Sequence, residues 1–251
     1  LEELFQYRFN GSSSLNGHSL GNLLLAALYD IRGGFQESLQ SAAELLALSG
    51  RVVSVSTEHR VMLMGETISD QILKGESAVG HASDPLRRVW VEPEGIVATE
   101  AALEAVRQAE LIVIGPGSLY TSIIPNFLIN GMREAVEASS APKAFVCNVA
   151  TQPHETDGYD VSKHFKAFQD HSGVTITHLV VNDNVEHLAT ESGQVAVFPE
   201  SRVDGFEGTI ILEDLVDTAM RTRHDPMKLA AALMTIVRGS RRRTKTLTGA
   251  R

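Results

Sequence analysis

Three segments of this 251-residue chain concentrate side chains able to hold an anionic or many-hydroxyl ligand. The first, Gly115-Pro116-Gly117-Ser118-Leu119-Tyr120-Thr121-Ser122, follows the continuous apolar run Leu111–Ile114. Glycines let the backbone approach an anion closely, and the hydroxyls of Ser118, Thr121 and Ser122 can donate hydrogen bonds. A helix that follows adds free N–H groups and the positive end of its dipole. Charge-assisted bonds of about 1.5–3 kcal/mol each would hold a phosphate there. Glycine and serine are equally common in ordinary strand-to-helix turns, and spacing alone does not separate the two readings.

The second segment, Asn148-Val149-Ala150-Thr151-Gln152-Pro153-His154-Glu155-Thr156-Asp157-Gly158-Tyr159, gathers amides, hydroxyls and two carboxylates after the apolar run Ala144–Cys147. That mixture suits a sugar or nucleoside, and it also suits a polar loop capping the helix expected from Asp160. In the third, Gly17-His18-Ser19-Leu20-Gly21-Asn22, His18 precedes a helix start and Asn22 lies one turn along. Such a histidine can bond a phosphate or ribose, although it is more often a surface cap.

Several known chemistries drop out. A dinucleotide G-x-G-x-x-G would need glycine where Tyr120 stands, and no G-x-x-x-x-G-K-[ST] occurs. A nucleophile elbow around Ser118 would need glycine at 116 and 120, which are Pro116 and Tyr120, so serine-hydrolase chemistry is excluded. His154-Glu155 is no zincin motif, because Gly158 stands where the second histidine belongs.

The elements that must carry these loops read as one α/β domain over residues 1–237. A helix is expected over Leu1–Phe9, whose apolar stripe reaches residue 1 and implies material upstream. Ser19 should cap a helix through Leu28, and another helix should run from Phe35 to Leu48 with Phe35, Leu39, Ala42, Leu45 and Leu46 inward. Residues 51–56, 61–65 and 88–92 read as short strands of a small β excursion. From Thr99 onward, helix, strand Leu111–Ile114, helix Asn126–Ala138, strand Ala144–Cys147, helix Asp160–His171 and strand Thr175–Val181 alternate. That order predicts a mostly parallel sheet with helices on both faces. A strand Gly208–Leu212 and a helix opened by Asp225-Pro226 complete it. His164 and His171, seven apart, are expected at the solvent, and Cys147 in the core.

Composition sets the class of partner. There are 22 Lys and Arg against 31 Asp and Glu, a net −9, and a single Cys. Six cations and no acid fall in residues 238–251, expected as a poorly ordered basic tail, leaving −15 on the other 237 residues. A body this acidic repels nucleic acid. The lone Cys147 excludes an intrachain disulfide and fits a cytoplasmic setting, and no apolar stretch approaches the roughly 20 residues of a membrane span.

Taken together, Leu4–Phe9, Gly17–Leu24, Ile114–Ser122, and Cys147-Asn148 with Thr151-Gln152 and Glu155–Tyr159 strongly resemble the YvcK/GlmR branch of the CofD-like family, whose bacterial members are usually called gluconeogenesis factors. The resemblance covers nearly the whole chain and implies a Rossmann-like fold. Family members begin with a strand, a glycine-rich loop and an Asp-Asp-Gly-Gly segment, which do not occur in these 251 residues. The CofD branch transfers a phospholactyl group to a deazaflavin. The YvcK/GlmR branch binds UDP-sugars, has no established reaction, and is associated with cell shape and wall-precursor supply. The resemblance therefore implies a regulatory protein that binds a UDP-sugar or an NAD-type dinucleotide and requires no cofactor. Gly115, Gly117, Ser118, Thr121 and Ser122 would hold phosphate, with His18 and Asn22 contributing. Asn148, Thr151, Gln152, Glu155, Thr156 and Asp157 would face the sugar or nucleoside. The alternative is a transferase in which Mg²⁺ offsets diphosphate charge and Asp157 holds the metal or a substrate hydroxyl. Neither a catalytic residue nor a resident metal site is assigned. Expected partners are the nucleotide ligand, a regulated metabolic enzyme and further copies of the chain, without nucleic acid or membrane insertion.

Overall fold

A computed structural model describes residues 2–11, 14–57, 61–185 and 193–248. It divides into two compact units, Leu1–Thr57 and Glu58–Arg251.

The first unit is helical: α1 (Glu2–Gln6), α2 (Leu20–Arg32) and α3 (Phe35–Leu45). Ser19 caps α2 as its residue type suggests, its hydroxyl accepting the Asn22 N–H at 3.1 Å. Gly33, at φ +75, ends α2 in a left-handed turn that only glycine adopts without strain. On α3 the expected inward face is only partly realised, since Ala42 is buried while Phe35 and Leu45 are exposed. A unit this small has little interior to offer. Residues 51–56 form no strand. Instead the Gln36 amide takes the backbone there, donating to Val52 O at 3.2 Å and accepting the Ser54 N–H at 3.0 Å. Those backbone groups are satisfied without a ladder.

In the second unit, β1 (Met62–Thr67), β2 (Ile72–Lys74) and β3 (Leu86–Glu92) make an antiparallel sheet of order β2-β1-β3, with α4 (Glu76–Gly80) beside it. This is the small β excursion, carried by residues 62–92. Arg87 fixes its first turn, bonding Glu66, Asp70 and the Ile68 carbonyl.

After α5 (Glu100–Arg107), capped by Thr99, comes the parallel sheet of order β4-β5-β6-β7: β4 (Ile112–Ile114), β5 (Lys143–Val146), β6 (His178–Asn182) and β7 (Thr209–Glu213). Between β4 and β5 lie a π-helical turn (Leu119–Ile123), α6 (Ile124–Phe127) and α7 (Met132–Ala138). The single helix expected over 126–138 is thus broken before Gly131, whose φ is +94. Helix α8 (Val161–Ser172) joins β5 to β6, and α9 (Pro226–Thr248) closes the unit. The backbone of residues 238–248, expected as a tail, continues α9.

Alternation along β5 shows why the sheet is covered on both faces. Phe145 and Cys147 join Leu179, Val181 and the α8 residues Phe165 and Phe168 in one core cluster. Ala144 and Val146 join Val180, Leu215 and the α9 residues Ala232 and Ile236 in another. Period-two strands with both faces apolar require such double cover. Burying Phe168 alone is worth about 1.5–3 kcal/mol. Among the described residues no helix is long and apolar enough to cross a membrane.

Candidate functional site at the carboxyl edge of the sheet

The turn after β4 and the loop after β5 meet at the carboxyl edge of the parallel strands, the edge where open α/β sheets bind ligands. Gly115 has φ +84, and a Cβ there would lie 3.1 Å from both the Val146 carbonyl and Ile123 Cδ1. The chain can turn this sharply against its neighbour only with glycine. It then winds into the π turn, a geometry frequent at functional sites.

Two side chains tie the loops together. Asn148 accepts the Gly117 N–H at 3.3 Å and donates to the Gly117 carbonyl at 2.8 Å. Glu155 reaches back from the second loop. Ser118 Oγ donates to its carboxylate, with oxygens at 2.6 and 2.7 Å, and the Tyr120 N–H donates at 2.6 Å. Ser118 Oγ also accepts the Thr121 N–H at 3.3 Å and touches the Thr121 hydroxyl. A hydroxyl has one proton and two lone pairs, so the capacity of Ser118 is used inside the protein. The Tyr120 hydroxyl, 2.8 Å from that of Tyr159, is held protonated by burial and by this contact.

These ties border a cleft of about 560 Å³, inside the range of roughly 300–1,000 Å³ typical for small-molecule sites. The two loops contribute Gly117, Ser118, Asn148 and Gln152, and the segment before α9 contributes Thr222, Arg223 and His224. The Gln152 Oε1 is buried with no hydrogen-bond partner among the described residues. His224 Nε2–H donates to the Cys147 carbonyl at 3.2 Å, and burial lowers its pKa below the ordinary imidazole value. Burial likewise pushes the Cys147 thiol far above its usual range, so this sulfur is core and not a nucleophile.

The candidate residues of the sequence fall into three groups. Gly117, Ser118, Asn148 and Gln152 line the cleft. Gly115, Thr121, Thr151, Glu155 and Thr156 shape its loops. Thr151 is 2% exposed and its hydroxyl accepts the Val195 N–H at 3.0 Å, while the Thr156 hydroxyl accepts the Gln152 N–H at 2.8 Å. Ser122 and Asp157 are exposed, with Asp157 accepting the His154 N–H at 2.8 Å. His18 and Asn22 belong to the first unit, where both are exposed. His164, expected at the solvent, is buried at 1% exposure, its ring packed edge-on against Tyr159 and its Nδ1 donating to the Asp160 carbonyl one turn earlier. Thr222, Arg223 and His224 are not among the candidates the sequence suggests. The available signal is a polar, basic cluster directly before the Asp225-Pro226 helix start.

The family model described as "2-phospho-L-lactate transferase CofD" matches residues 1–214. The gluconeogenesis factor of Halalkalibacterium halodurans is 38% identical over 242 residues, 93% of this chain and 75% of that protein. The gluconeogenesis factor of Bacillus subtilis is 34% identical over 247 residues, 95% of this chain and 77% of the relative. A crystal structure of a Bacillus halodurans protein superposes with a TM-score of 0.84 at 36% identity, covering 93% of this chain and 77% of that one.

Proposed function

Because the chain belongs to the CofD family, with gluconeogenesis factors as its relatives, we propose that it is a regulatory nucleotide-binding protein whose carboxyl-edge cleft takes a UDP-sugar or a similar nucleoside diphosphate. The observation that carries this reading is the convergence of three loops on one polar cleft holding a cation, Arg223, and amide groups from Asn148 and Gln152. Arginine forks onto phosphate oxygens with good geometry, and amides read hydroxyls and base edges. Ligand occupancy would then report wall-precursor supply, the role that the family resemblance attaches to cell shape.

The transferase activity for which the CofD family is described supports a second reading, a phospholactyl transferase. That reading needs Mg²⁺, for which the described residues offer no all-protein cage. No group of three or more His, Cys, Asp or Glu is arranged to hold the ion, Glu155 is engaged by Ser118 and Tyr120, and Asp157 is engaged by the His154 N–H. No step is derived through the metal.

Calorimetry with UDP-N-acetylglucosamine tests the binding reading. Saturable heat is expected, with affinity at least about tenfold weaker in Arg223→Ala, the loss of one charge-assisted contact. Absence of saturable heat, or full affinity in Arg223→Ala, would reject the cleft as the site.

A further inference from the structure

Glu155 is a carboxylate 4% exposed to solvent, held only by neutral donors: the Ser118 hydroxyl and the Tyr120 N–H. Among the described residues no Lys, Arg or His pairs with it. A buried charge without a counter-ion projects a field that solvent screens poorly. It lies directly behind Ser118, which lines the cleft.

The hydroxyl proton nearest the cleft at this end is already committed. Ser118 has spent its proton on Glu155, and Gln152 Oε1 is buried without a donor. Arg223 enters the cleft from another segment, the one before α9. The cleft is therefore polarised, with a negative charge behind the turn and a cation elsewhere. This differs from the sequence-based expectation that the hydroxyls of the turn would donate to phosphate.

We infer that Glu155 is a specificity-determining residue: its buried carboxylate excludes phosphate from the Ser118 end of the cleft and selects a neutral, hydroxyl-bearing group there, so that a nucleoside diphosphate sugar is taken in preference to a nucleoside triphosphate. The inference rests on the proposed nucleotide site and adds the orientation of the ligand, sugar toward Ser118 and Gln152 and diphosphate toward Arg223. Glu155 acts through its field and through the turn it holds, and it need not touch the ligand.

The experiment compares UDP-N-acetylglucosamine, UTP and inorganic pyrophosphate by calorimetry on the wild-type chain and on Glu155→Gln, which keeps an acceptor for Ser118 and Tyr120 but removes the charge. Wild type should prefer the sugar nucleotide to UTP by at least about tenfold, the scale of one unscreened like-charge contact. Glu155→Gln should lose most of that preference by binding UTP and pyrophosphate more tightly. The Tyr120 amide proton, shifted downfield by a charged acceptor, should move upfield in the variant. Wild type binding UTP as tightly as the sugar nucleotide overturns the inference even if the variant fails to fold. An unchanged preference in a folded Glu155→Gln overturns it while leaving the nucleotide site standing. If no uridine nucleotide binds, the functional reading fails, and pyrophosphate alone decides: equal binding to both forms overturns the role of Glu155, and tighter binding to the variant supports it.

Discussion

The two edges of the parallel sheet carry cavities of different character. The amino edge, beside the first residues of β6 and β7, has the larger one, about 910 Å³ against about 560 Å³. Phe165, Ile176, Phe206 and Ile236 share its lining with Gln169, His178 and Glu207, and no Lys or Arg is among its described lining residues. The smaller cleft draws Ser118, Gln152 and Arg223 from three segments far apart in sequence. Volume alone would choose the amino edge. Convergence of polar groups where parallel strands end is the better guide, since few placed polar groups fix a ligand's orientation.

Substitutions at the two edges put that contrast at risk. The largest stability effect is expected at the carboxyl edge: Glu155→Ala strands the Ser118 hydroxyl and the Tyr120 N–H, costing about 2–3 kcal/mol in urea unfolding. At the amino edge, Gly208→Ala would place a Cβ 2.3 Å from the Thr177 carbonyl, an overpacking cost of about 1–3 kcal/mol with nucleotide affinity retained. Arg223→Ala should do the reverse, changing stability by less than about 0.5 kcal/mol while lowering affinity. Gln169→Ala, on the lining of the amino-edge cavity, should alter affinity by less than about twofold. If Gln169→Ala weakens binding as much as Arg223→Ala does, the edges have been assigned the wrong way round.

The smallest effect is in pH. The folded-state pKa of His224 is lowered by burial, so the unfolded chain binds the proton more readily. Its contribution to stability is complete above the unfolded imidazole pKa, about 6.5, and is lost as pH falls below that value. His164, also lowered by burial, acts in the same sense. The urea midpoint should fall between pH 7 and 5, and His224→Gln should flatten part of that slope. An identical slope in the variant would remove His224 from the account.

Much of the framework is readable from residue types because local chemistry and tertiary packing agree. The run Leu111–Ile114 supplies β4, and the predicted caps Ser19 and Thr99 cap their helices. Disagreement arises where a distant group intervenes. The alternating Val and Ser of 51–56 suggest a strand, but the side chain of Gln36 supplies the partners a ladder would have given. His164 looks like a surface residue because its Asp160 carbonyl partner is invisible to composition. Arg223 and His224 escape notice for a similar reason, as the Cys147 carbonyl that receives His224 lies 77 residues away. The carboxylate of Glu155 suggests direct contact with a ligand, whereas its bonds run inward to the turn.

Helix α9 starts two residues after His224, and its first turn is moored by Lys228, which reaches Asp214 at 2.7 Å and the Val216 carbonyl at 3.0 Å. Its 23 residues make a rod of about 35 Å. With the pivot beside the cleft, a tilt of about 5° at that root would carry the far tip through about 3 Å. The length of the rod thereby multiplies any change of angle at its root.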